Sequence, residues 1–144
     1  GLLRSYIDHK GKEINMWFVK EDEFIVSINS YYYNRPSIEN LQAIEDCEVL
    51  MIKKNIYHLL LKNNHKLALF AINQMYLNLC EYQDQCLSLR FMSAEKKYKF
   101  LRLKKPDILN RLSQKHIASF LGVETTYLSK IITNFKTEKE DLPD

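Results

Sequence analysis

From His65 to Phe91 the chain runs without a glycine or a proline, and that stretch limits which folds can surround it. Ala68, Ile72, Met75, Leu79, Tyr82, Cys86 and Leu89 recur in alternating steps of four and three. This is the heptad spacing of an α-helix with one continuous apolar seam. Leu69, Tyr76 and Leu77 widen the apolar surface on its flanks. Such a helix spans about 40 Å, more than one small sheet domain covers. The excess seam needs a partner, and a parallel homodimer through Ile72, Met75, Leu79, Tyr82, Cys86 and Leu89 is expected.

The residues before this helix read as a sheet. Leu2 to Asp8 and Glu13 to Val19 are apolar-rich runs separated by His9-Lys10-Gly11-Lys12, a turn-like tetrapeptide, so a β-hairpin is expected. The second arm alternates, with Ile14, Met16 and Phe18 on one face and Asn15, Trp17 and Val19 on the other. Phe24 to Ile28 continues the sheet, and residues 29–37 break into a loop. Leu41 to Ile44 and Glu48 to Ile52 read as two further strands, turning at Glu45-Asp46-Cys47. Tyr31, Tyr32 and Tyr33 suit a sheet margin or a subunit contact better than a ligand cage. Lys53 to Lys62 carries Ile56, Leu59 and Leu60 at helical spacing and closes the sheet domain. Asn63-Asn64 interrupts it and can cap the long helix.

After the long helix, Ser93 offers an N-cap to a helix that ends near Lys104, and Pro106 stops it. A short turn of helix follows at Ile108 to Leu112, and Ser113 caps the next segment. Gln114 to Ile132 reads as two short helices joined at Gly122, the helix-turn-helix layout. Ile117 and Leu121 give the first helix a stripe, and Leu128 and Ile131 give one to the second. Ala118 permits close approach, Gly122 can take positive φ, and Val123 plugs the corner. Thr125, Thr126, Ser129, Lys130 and Thr133 are left over, short hydrogen-bonding groups with one cation that suit base edges and phosphates. An ordinary helical hairpin in a core is the competing reading, and charge weighs against it. Between Ala94 and Lys136 ten basic residues face three acids, whereas the whole chain carries only +3. A basic excess confined to this segment is an electrostatic footprint for nucleic acid.

The boundaries that follow are a sheet domain over 1–63, a dimerisation helix over 64–92, a DNA-binding segment over 93–136 and a polar acidic tail over 137–144. The composition, 46% hydrophobic and 27% charged, is that of a globular protein. No apolar run is long enough to span a bilayer and no signal pattern opens the chain, so a soluble, cytoplasmic protein is expected. Cys47, Cys80 and Cys86 fit no zinc or disulfide framework and read as reduced thiols. No metal and no cofactor is expected. An enzyme is the weakest reading: there is no phosphate loop, no metal-ligand cluster and no nucleophile or carboxylate pair on converging elements.

In this order the pieces resemble the Crp/Fnr superfamily of bacterial transcription regulators. The matching residues are Gly1-Leu-Leu-Arg-Ser-Tyr, Gly11-Lys-Glu, Trp17-Phe18, Glu45-Asp-Cys-Glu-Val, Ser93-Ala-Glu-Lys-Lys-Tyr and Gln114 to Ile131. The resemblance covers nearly the whole chain. It implies an α+β fold with a jelly-roll-like antiparallel β-roll, a long dimer helix and a C-terminal winged-helix-like helix-turn-helix. Double-stranded promoter DNA, a second copy of the chain and RNA polymerase are the implied partners. Family members begin some distance earlier, so either the first strands of the roll lie outside this sequence or the sheet is completed in another way, and the roll is partial. A full wing also has no counterpart after the recognition helix.

The resemblance marks Ser27, Arg35 and Ser37 as the candidate effector pocket. Cyclic-nucleotide binders of the family carry a Gly-Glu pair and a later Arg-Ser or Arg-Thr pair, where this chain has Val26-Ser27 and Arg35-Pro36-Ser37. Control by a cyclic nucleotide is therefore not expected, nor is haem or redox sensing. On the recognition helix, Thr125, Thr126 and Lys130 stand where many members have Arg, Glu and Arg, so a different sequence preference is expected. Lys115, Thr125, Thr126, Tyr127, Ser129 and Lys130 are the candidate DNA contacts, with the cations between Lys96 and Lys105 holding phosphates. The alternative is a ligand-sensing or protein-interaction module whose degenerate roll binds a small molecule or a protein, and whose C-terminal segment does not read DNA.

Overall fold

Lys10 and Gly11 alone turn the chain between strands β1 (Leu3–His9) and β2 (Lys12–Val19) in the computed structural model of the protein, which describes residues 1–140 and the side chains of 1–135. Both residues sit at positive φ, 55° and 79°, the combination that matches the twist of a two-residue hairpin. Asp8 Oδ1 accepts the Gly11 N–H at 2.9 Å and fixes the turn. The chain continues through α1 (Ile28–Tyr33), β3 (Glu39–Ala43), α2 (Lys54–Asn63), α3 (His65–Phe91), α4 (Ala94–Lys104), α5 (Pro106–Arg111), α6 (Gln114–Leu121) and α7 (Thr125–Glu140). The fold is thus α+β, with a three-stranded antiparallel sheet in the order β2-β1-β3.

The chain divides into two compact units, one of Gly1–Cys47 with Met92–Asp144 and one of Glu48–Phe91. In the first, the sheet and the C-terminal helices share one core. Leu2 and Phe18 from the sheet pack in a cluster with Tyr98, Leu101, Ile108, Leu112, Ile117, Ala118, Leu121, Leu128 and Ile131. Helix α6 packs on β2 and joins the sheet to the C-terminal helices. In the second unit α2 packs on α3. Asn64 caps α3 by accepting the Leu67 N–H on Oδ1 at 3.0 Å.

Four expectations need correction. The strict alternation along β2 fails because the adjacent β1 residues Tyr6 and Ser5 pair with Asn15 and Trp17, skipping Met16. This bulge puts Asn15 and Phe18 on the face of Arg4. Phe24 to Ile28 is not a strand. Phe24 and Val26 are exposed, and at Ile28 the chain enters α1, so the expected loop at 29–37 is helical through Tyr33 until Asn34 ends the helix in the left-handed region. Glu48 to Ile52 is no strand either: it pairs with none of the three strands, and Leu50 and Met51 stay almost fully exposed. Finally, the last helix does not end near Ile132. It runs through Glu140, because Phe135 extends the stripe of Leu128 and Ile131 and meets Tyr98 with ring centroids 5.6 Å apart. Of the expected tail, Asp141, Pro143 and Asp144 lie outside the described residues.

Candidate nucleic-acid interface

The joint between α6 and α7 is built as the residue types dictate. Ser113 accepts the His116 N–H and starts α6. Gly122, at φ 67° and ψ 39°, ends it. The N–H of Gly122 bonds the Ser119 carbonyl at 3.3 Å and that of Val123 bonds the Ala118 carbonyl at 3.0 Å, the pair of bonds that defines a Schellman turn. Ile117, Ala118 and Leu121 are buried against Leu128 and Ile131, and Val123 packs on the same cluster. Glu124 then opens α7 by accepting the Leu128 N–H on its backbone carbonyl.

The six candidate contacts fall into two groups. Lys115, Thr125, Thr126 and Lys130 are exposed. Tyr127 and Ser129 are engaged within the protein. The Tyr127 hydroxyl donates to Glu95 Oε1 at 2.6 Å, joining the first turn of α7 to the first turn of α4. That bond holds the Glu95 carboxyl below its ordinary range and pushes the Tyr127 phenol above its own. The Ser129 hydroxyl lies 2.7 Å from Gln114 Oε1 and 3.1 Å from the Thr125 carbonyl, so its single proton serves acceptors inside the fold.

The basic excess is also sorted by the fold. Arg111 is clamped between Glu21 (2.8 and 2.9 Å) and Glu45 (2.5 and 2.9 Å). These bonds raise its pKa and lower those of both carboxyls. Lys97 Nζ reaches the Leu121 carbonyl at 3.4 Å. Lys96, Lys99, Lys115 and Lys130 remain exposed. The acids of the segment are each met by another group: Glu95 by Tyr127, Asp107 by Lys20 at 3.2 Å and Glu124 by Lys12 at 3.5 Å. Those two lysines come from β2 and from the residue that follows it.

That sheet is fastened to α6 by a polar network that periodicity did not reveal. Arg4, only 4% exposed, donates to Gln42 Oε1 at 2.7 Å, Asn15 Oδ1 at 2.9 Å and Glu13 Oε2 at 2.6 Å. Asn15 Nδ2 lies 3.3 Å from His116 Nδ1 and donates to the His116 carbonyl at 3.1 Å. The Asn15 N–H donates to Ser119 Oγ, and that hydroxyl donates to the Glu13 carbonyl, both at 3.0 Å. A helix side chain thereby takes the place of a neighbouring strand at the bulged edge of β2. The sequence signal that could have found this joint is Arg4, a charged residue set beside the apolar Leu2 and Leu3 at the start of the arm.

Of the candidate effector pocket, Ser27 and Ser37 come together and Arg35 is placed differently. The two hydroxyls are 2.9 Å apart, and Ser27 donates to Glu39 Oε1 at 3.2 Å while Ser5 donates to Glu39 Oε2 at 2.8 Å. A carboxylate sits at the centre of this node. Arg35 stacks over Tyr33, 5.1 Å from the ring centroid. On α3, the seam residues Ile72, Met75, Leu79, Tyr82, Cys86 and Leu89 are all exposed. Among the described residues no group of three or more His, Cys, Asp or Glu is placed to hold a metal, and no helix is long and apolar enough to cross a membrane. No protein-family model matches the chain, and no curated protein is similar enough to it to indicate a relationship.

Proposed function

We propose that the protein is a dimeric transcription regulator of the Crp/Fnr type that binds promoter DNA through α6 and α7. In this reading α6 and α7 form a helix-turn-helix with little or no wing behind it. The three-stranded sheet belongs to a jelly-roll-like roll, and α3 is the dimer helix. The observation that carries the reading is the joint at Gly122. It buries one stripe of each helix and leaves Thr125, Thr126 and Lys130 exposed at the start of α7, the end of a recognition helix that meets base edges. Lys96, Lys99 and Lys115 supply phosphate contacts. In the dimer two such helices enter successive major grooves about 34 Å apart.

A cyclic nucleotide is not the effector in this reading, because Glu39 stands between Ser27 and Ser5 where a cyclic phosphate would need positive charge. RNA polymerase is the further partner.

The test is fluorescence anisotropy with duplex promoter fragments over a range of salt concentrations. Binding that weakens steeply with salt is expected, and binding that is absent at low salt, or indifferent to salt, refutes the reading. Selection of binding sites with Thr126→Ala and Lys130→Ala variants is the second arm. Unchanged selection would favour the interaction module over a DNA reader.

A further inference from the structure

The hairpin of β1 and β2 ends beside the N-terminus of α7. Lys12 Nζ, on the first residue after the turn, lies 3.5 Å from Glu124 Oε1, on the residue that opens α7. We propose that this hairpin tip is a second DNA-contact element, in which Lys10 and Lys12 bind backbone phosphates at the rim of the groove that α7 enters. The inference rests on the helix-turn-helix reading above and adds a contact from the opposite end of the sequence.

Three observations carry it. The tip is rigid: its turn is set by two positive-φ residues and the Asp8 to Gly11 bond, and β2 is fastened to α6 through Ser119 and His116. Phe18 and Phe120, with ring centroids 5.3 Å apart, add an apolar clasp to the same joint. Of the acids of the tip, Glu13 is paired with the buried Arg4 guanidinium, and Asp8 is held to the turn by the Gly11 N–H. Lys10 and Lys12 are both exposed. The position also fits. A helix about 10–12 Å across fills a major groove of about the same width, so cations beside its entering end face the phosphate rims. Lys12 further offsets Glu124, which would otherwise repel DNA where α7 enters.

The experiment compares wild type, Lys10→Asn and Lys10→Asn/Lys12→Gln in salt-dependent anisotropy with one duplex. Asn suits the left-handed backbone of position 10, and the single variant leaves the pair of Lys12 with Glu124 intact. Each lost phosphate contact lowers the slope of log affinity against log salt by about 0.9 and weakens binding about tenfold at 0.1 M salt. A slope smaller by about 0.9 in the single variant and about 1.8 in the double supports the hairpin contact. Circular dichroism should show unchanged folding, since both side chains are exposed. Unchanged slopes in variants of a protein that does bind DNA overturn the hairpin contact and leave the helix-turn-helix reading standing. Absence of binding by the wild type overturns both.

Discussion

The proton on His116 is placed by a residue that never touches it. Arg4 has only donors, so the Asn15 oxygen must face Arg4 and the Asn15 amide nitrogen must face His116. Nδ1 of His116 therefore accepts, and the imidazole is neutral with its proton on Nε2. Burial lowers the His116 pKa from 6.5, and the charges of Arg4 and Lys115 lower it further against the opposing pull of Glu13. Above 6.5 the folded and unfolded chains are both neutral here, and this residue adds no pH dependence. Below it the unfolded chain takes up a proton that the folded chain refuses, so stability falls until the lowered folded pKa is passed and then levels off. Urea midpoints between about pH 8 and about pH 5 should show this decline, and His116→Gln should remove its contribution. Gly122 makes a second prediction at this scale. Gly122→Ala forces a side chain into φ 67° and should cost about 1–2 kcal/mol in urea unfolding.

Elements that depend on their own sequence were legible, and those that depend on a distant partner were not. The helix from His65 to Phe91, the caps at Ser93 and Ser113 and the turn at Gly122 each follow from residues within one or two turns. The apolar runs at 24–28 and 48–52 fit a strand pattern equally well, yet neither joins the three-stranded sheet, since pairing needs a distant partner that a local pattern does not encode. The bulge at Met16 belongs to the same class, because the joint to Ser119 and His116 holds it. Within the candidate interface, composition marked Thr125, Thr126 and Lys130 as available. It could not show that Tyr127 and Ser129 are engaged by Glu95 and Gln114, which lie 32 and 15 residues away. The length of α7 is the element most open to test. Phe135→Ala removes the packing on Tyr98 and should cost about 1–2 kcal/mol, less than a fully buried Phe because Phe135 is half-buried. A helix ending at Ile132 would instead leave the denaturation midpoint unchanged.

At the scale of the whole molecule, the exposed seam of α3 is an unmet demand for burial. Met75 and Leu79 are 71% and 64% exposed, and Ile72 and Leu89 are nearly half exposed. Moving such side chains out of water is worth about 1.5–3 kcal/mol each when complete, so several together can hold two chains as a dimer. Leu79 lies near the middle of the helix, and Leu79→Glu would place like charges opposite one another in a two-fold dimer. Sedimentation should then show monomer, with weaker DNA binding because two half-sites are no longer bridged. A dimer unaffected by this change would refute the seam. Cys86 distinguishes the direction of the chains. In a parallel, in-register pair it faces its own copy at a core position, and a disulfide needs Cα atoms about 4.4–6.8 Å apart. In an antiparallel pair centred on Leu79 it faces Ile72 instead. In a Cys47→Ser/Cys80→Ser background, mild oxidation by a small-molecule disulfide should give a covalent dimer on a non-reducing gel if the helices are parallel. A dimer in sedimentation that gives no covalent product would keep the seam and reverse its direction.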